Sequence, residues 1–151
     1  MLTVIGIDPG PNTGICVVKF ITRTWGMMSP AWYQCDGAAA AKLCTWINDS
    51  VRDSDTIKVQ IEDFVSGNGA GNKGEAADIT RSLVNKLGAL FPDADPVYVR
   101  ATDVKPWATD KRLEKAGLLY PYAGTAMRHA NDAARHALYR AVKTGWPDPL
   151  A

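Results

Sequence analysis

The chain has 151 residues, 46% apolar and 22% charged, the size and balance of one globular domain with a core of its own. No window of about 18 apolar residues occurs, which excludes a membrane-spanning helix. The net charge of +1 hides an asymmetry: residues 1–95 carry 8 Lys/Arg against 11 Asp/Glu, and residues 96–151 carry 9 against 5. A basic half is compatible with a polyanionic partner, although a solvated surface gives the same count.

The N-terminal MLTVIGIDPG lacks a basic n-region and breaks at Asp8-Pro9, so no signal peptide is expected. LTVIGI, residues 2–7, reads as a continuous buried strand that stops at DPGPNTG. GICVVKF (14–20) and TRTWGMM (22–28) read as two further strands joined by a tight connection. DGAAAAKLCTWINDSV predicts a helix, with Asp36 as its N-cap and Ala41, Leu43, Cys44 and Ile47 as apolar positions. TIKVQIEDF alternates Ile57, Val59 and Ile61 as a fourth strand, and SGNGAGNKG (66–74) is a glycine-rich loop. A second helix over about 75–91 carries Ile79, Leu83, Leu87, Leu90 and Phe91 on one broad stripe. PVYVRA is a fifth strand, and residues 102–120 form short helical pieces limited by Pro106, with Thr109 as an N-cap. Residues 125–143 make the last helix, stopped by Gly145 and Pro147.

The order βββαβαβα predicts a single α/β domain over 1–151, with a mixed five-stranded sheet and helices on its faces. Cys16, Cys35 and Cys44 are an odd set without metal-finger spacing. They read as buried free thiols of a reducing, cytoplasmic setting.

Two acids fall where ligands gather in α/β sheets: Asp8 and Glu62 each stand at the carboxyl end of a strand. The last helix contributes the only two histidines of the chain, in RHANDAARHALYRA. Ala126, Ala130, Ala134, Ala137, Leu138 and Ala141 cover one arc, and small side chains there let the helix sit close to the sheet. His129 and Asp132 lie outside that arc and, three residues apart, are neighbours on the helix surface. His136 is one turn beyond, with a supporting or surface role. Each feature has a plainer reading. DPG is good turn chemistry, Glu62-Asp63 suits a solvated strand end, and a helical histidine is most often a satisfied polar residue.

Taken together, these residues resemble the RuvC-type Holliday junction resolvases of the ribonuclease H-like nuclease superfamily. VIGIDPGPNTGICVV is similar to that family's first strand and turn, VQIEDF to its fourth strand, and HANDAARHAL to its C-terminal helix with two ligands three residues apart. VYVRATDVKPW resembles the fifth strand and the segment after it, which places Lys105 at a DNA-contacting position. The sequence departs from the family where an aromatic often follows the strand-four acid by three residues. That place is Val65, and Phe64 stands one residue earlier.

The resemblance implies a structure-specific endonuclease that resolves four-way DNA junctions with two Mg2+ or Mn2+ ions. It implies Asp8, Glu62, His129 and Asp132 as catalytic metal ligands. Two such ions about 3.5–4 Å apart activate a water and stabilise the leaving oxygen. Lys105, Arg100, Lys111, Arg112 and Lys115 are candidate phosphate contacts, and Phe64 is a candidate base-stacking residue or an ordinary core aromatic. A junction is nearly two-fold symmetric, so a homodimer is expected, with the stripe on helix 75–91 as a candidate contact. The compact length points to a bacteriophage or mobile element, hence to a bacterial or phage-infected cytoplasm. Rival readings are a less selective nuclease acting on flaps, single strands or RNA, and a catalytically silent junction-binding module. GIDPGPNTGICVV also resembles the first phosphate loop of actin-like ATPases, but 151 residues cannot hold the two domains such enzymes need.

Overall fold

A computed structural model describes every residue except 52, 65–73 and 122–124. Val65 and the expected glycine-rich loop, apart from Gly74, therefore lie outside the described residues. The elements are β1 (Leu2–Asp8), β2 (Thr13–Ile21), β3 (Gly26–Met27), β4 (Ala31–Cys35), α1 (Gly37–Ser50) and β5 (Thr56–Asp63). They continue with α2 (Glu75–Ala89), β6 (Val97–Arg100), α3 (Ala101–Val104), α4 (Asp110–Ala116) and α5 (Arg128–Thr144), the last preceded by a 3-10 turn at Thr125–Met127. Among the described residues, no helix is long and apolar enough to cross a membrane.

β1 is buried along its whole length, which is why its sequence does not alternate. It pairs antiparallel with β2 and parallel with β5, and β5 pairs parallel with β6. The sheet runs β3-β2-β1-β5-β6, with β4 also on β2. This is the mixed α/β sheet expected from the element order, with six strands rather than five. The difference lies at one edge. Residues 22–25 are a turn: Thr24 Oγ1 accepts from Gly26 N and Trp25 adopts a φ of 53°. Only Gly26 and Met27 of the expected third strand pair with β2, at Ile21 and Phe20. The rest of that edge, Thr13 to Val17, is taken by AWYQC of β4, which the sequence reading left unassigned. Every residue of β4 is half-buried, so it carries no inside-outside alternation to betray it.

Two apolar layers flank the sheet. Ile5, Ile7, Ile15, Val59 and Ile61 pack under α1 and α2. Leu2, Val4, Cys16, Val18 and Phe20 pack under α4 and α5. The expected caps form: Asp36 Oδ1 accepts from Ala39 N at 2.8 Å, and Thr109 Oγ1 accepts from Arg112 N at 3.2 Å. Gly145, at a φ of 125°, ends α5. Cys16 and Cys44 are buried free thiols as expected, while Cys35 is half-buried.

The alanines of α5 are explained at β1 and β2. A Cβ on Gly6 would collide with the Ala133 carbonyl oxygen, and one on Gly14 with the His129 carbonyl oxygen. Helix backbone therefore rests on strand backbone, with Ala130, Ala133, Ala134, Ala137 and Ala141 buried around the contact. Ala126, expected in that buried arc, precedes α5 and is exposed.

Candidate active site

Parallel pairing of β1 with β5 sets Ile7 beside Ile61. The next residue on each strand, Asp8 and Glu62, therefore leaves the sheet at neighbouring carboxyl ends. Both turn to the α5 side, the face opposite Ile7 and Ile61. Beyond Asp8 the chain reverses through a turn in which the Thr13 hydroxyl donates to Gly10 O at 2.9 Å.

The first turn of α5 is capped from a distance. Met127, the residue at its N-cap, makes no side-chain capping bond. Gln34 of β4 does that work: its Oε1 accepts from His129 N at 3.1 Å and Ala130 N at 3.2 Å, and its Nε2 donates to Ala126 O at 2.7 Å. So anchored, α5 places His129 Nδ1 at 2.9 Å from Asp8 Oδ2 and His136 Nε2 at 3.3 Å from Glu62 Oε1. Asp132 lies between two cations, with Lys105 Nζ at 3.1 Å and Arg135 Nε at 3.3 Å. Arg135 is itself fixed by the Ala108 carbonyl and Asp110.

Burial, the Glu62 charge and a hydrogen bond with Glu62 push the Asp8 carboxyl up to about 9, with Asp132 adding to the repulsion. Glu62 moves the other way. Burial raises it, but hydrogen bonds from His136 and Asp8 outweigh burial and hold it below the ordinary glutamate value. Burial and the Arg128 charge hold His129 below the usual histidine value, so its ring is neutral at pH 7. Burial would lower Lys105, but Asp132, Glu62 and Asp8 raise it, so it stays charged. The two carboxyl groups are thus driven apart, Asp8 upward and Glu62 downward, where two negative charges would crowd.

Three carboxylates and a neutral imidazole form a donor set suited to a divalent cation, and the raised Asp8 marks the charge crowding a cation relieves. Among the described residues, no three His, Cys, Asp or Glu side chains close around one point as a ready-made metal site. The carboxylates bond to one another, to the histidines and to the cations instead.

The other expected site residues divide. Lys105 is exposed, and its Nζ reaches into the acidic cluster at Asp132. Arg100, Lys111 and Lys115 are exposed. Arg112 is tied inward: Nε and Nη2 donate to Asp148 at 3.0 and 3.1 Å, Nη1 donates to Trp107 O at 2.8 Å, and the guanidinium lies over the Trp107 ring. Phe64 is half-buried against the α1–α2 layer with the Arg81 guanidinium over its ring. His136 is 1% exposed, which removes the surface role the sequence left open for it. Gln34, Gln60 and Arg135 were not anticipated. Gln60, two residues before Glu62 on the same face of β5, was open to discovery by strand periodicity alone.

No family model and no curated protein matches the sequence. The fold does have a counterpart: a structure of T. thermophilus RuvC in complex with a Holliday junction substrate superposes with a TM-score of 0.59 at 18% identity. The match covers 95% of this chain and 96% of that one. The chain therefore has the RuvC-type ribonuclease H-like fold.

Proposed function

We propose that this RuvC-fold chain is a divalent-metal-dependent endonuclease that resolves four-way DNA junctions by paired phosphodiester cleavage. The observation that carries the reading is the meeting of Asp8, Glu62 and His129, from three separate elements, at the carboxyl end of the central strands. Asp8, Glu62, His129 and Asp132 would hold two ions of Mg2+ or Mn2+. When bound, the ions supply an activated water and stabilise the leaving oxygen. Lys105 keeps Asp132 oriented and adds positive charge where a scissile phosphate would approach. Exposed Arg100, Lys111 and Lys115 extend that charge along neighbouring phosphates.

Paired cutting calls for a homodimer. Ile79 of α2 is 59% exposed and lines a groove of about 700 Å³ with Pro11 and Leu83, a surface a second copy could cover. Light scattering with and without junction DNA tests this; a monomer in both conditions removes the paired mechanism.

One observation favours a second reading. Phe64 packs partly into the α1–α2 layer with the Arg81 guanidinium over its ring, so among the described residues an unpaired base stacking there competes with Arg81. A less selective nuclease, cutting flaps, single strands or RNA, has no need of that stack. Cleavage of a synthetic four-way junction in Mg2+ or Mn2+, beside flap, duplex, single-strand and RNA controls, separates the readings. Preferred junction cutting supports the proposal, and equal cutting of flaps supports the second reading. Binding without cutting makes the chain a silent module.

A further inference from the structure

Gln60 and His136 are each 1% exposed, in the layer where α5 otherwise rests on the sheet through alanines and Leu138. A buried polar pair is costly unless its groups satisfy one another, and two apolar side chains would fill such a space without that cost. The pair is satisfied in one direction. Gln60 Nε2 lies 2.9 Å from His136 Nδ1, and His136 Nε2 lies 3.3 Å from Glu62 Oε1. The amide nitrogen is a donor, so Nδ1 accepts and the ring proton resides on Nε2, where it is donated to the Glu62 carboxylate.

We infer that His136 is a positioning residue, held in its Nε2–H form by Gln60, that orients the Glu62 carboxylate for cation binding. The inference rests on the nuclease reading of the site for what Glu62 holds. The hydrogen-bond relay itself does not depend on that reading. Gln60 and Glu62 share one face of β5, and His136 reaches both from α5, so strand and helix fix the three groups together. A histidine in this place aims a ligand without being one.

The experiment uses the full chain in two measurements. Nitrogen-15 NMR of the metal-free protein reads the His136 ring, and the expected result is the proton on Nε2. A proton on Nδ1 would mean that the Gln60 amide faces the other way, and it overturns the inference. Calorimetric titration with Mn2+ then compares the parent with His136→Gln and with the double variant Gln60→Leu/His136→Leu. The leucine pair is expected to bind Mn2+ about 10–100-fold more weakly. His136→Gln, whose amide can still donate to Glu62, is expected to retain most of the affinity. Should the leucine pair not fold, Gln60→Leu alone replaces it, with loss of the single Nε2–H form expected. If the parent binds Mn2+ and the folded leucine pair binds it equally well, the inference falls and the nuclease reading stands. A parent that takes up no Mn2+ overturns the nuclease reading and the inference with it.

Discussion

The Asp8 carboxylate and the His129 ring meet at 2.9 Å across 121 residues of sequence. The first strand of the sheet and the last helix of the chain are thereby joined at the proposed reaction centre. Loss of the Asp8 carboxylate is expected to abolish cleavage. Glu62→Gln and Asp132→Asn are expected to do the same while leaving DNA binding, which the proposal assigns to the basic residues, largely intact. Near-parental turnover in any one of these variants would take that residue out of the site.

Asp8 also sets a pH dependence of stability. Its folded pKa, about 9, is raised above the ordinary 3.8. Its contribution is therefore fully present below pH 3.8 and is lost as pH rises toward 9. Asp8→Asn removes the charge and keeps the shape. In metal-free protein at pH 8 it is expected to be more stable than the parent by about 1–4 kcal/mol, with little difference near pH 4. Mn2+ should raise the melting temperature of the parent and not that of the variant. Parallel stability curves for the two proteins from pH 4 to 8 would contradict this.

His129 must be neutral to ligate a metal. Burial and Arg128 hold its pKa below 6.5, so cleavage should persist below that pH and decline as the ring gains a proton at lower pH. Added metal should partly restore it. His129→Asp is expected to stay active and to shift preference from Mn2+ toward Mg2+, and His129→Ala to lose most activity. Normal cutting by His129→Ala would exclude the ring as a ligand.

Lys105 and Arg112 are expected to behave differently although both are basic and close in sequence. Lys105→Ala should weaken junction binding and reduce its log–log salt slope by about one unit if the lysine makes one phosphate contact. Arg112→Ala should lower the melting temperature, because it frees the C-terminal segment that carries Asp148 from α4, and should leave the salt slope unchanged. A slope that falls for Arg112→Ala and holds for Lys105→Ala would reverse these assignments.

Gly6→Ala puts a methyl group into the Ala133 carbonyl, which belongs to a helix rather than to a flexible side chain. A loss of about 3 kcal/mol or more is expected, above most overpacked core substitutions. Gln34→Ala uncaps α5 from outside the helix and is expected to cost about 1 kcal/mol and to reduce activity by disordering the turn that carries His129. Denaturant unfolding beside cleavage assays measures both.

The sequence made the central strands legible because LTVIGI and TIKVQIEDF are long enough for their apolar pattern to be unambiguous. The same pattern aligned Asp8 and Glu62 at strand ends, and helical spacing put His129 and Asp132 on one side of α5. It could not reveal β4, whose half-buried residues have no alternation, nor consequently Gln34. Pairings between distant segments were equally hidden. Nothing local in RHANDAARHAL separates a histidine facing a carboxylate from one sealed under the helix, because which sheet residue lies opposite is set by how closely α5 docks. Arg112 looked like a phosphate contact for a related reason: its partner, Asp148, is 36 residues away.

At Gly6 and Gly14 the two layers touch main chain to main chain. The spacing between helix and sheet is therefore an atomic stop, independent of the bulk of the core side chains around it. Leucine, isoleucine or valine can be exchanged on either side of the sheet, and the filling of the layers changes, while the stop and the distance from Asp8 to His129 do not. A chain built on such a stop can drift widely in composition and still hold its acids and imidazole in register.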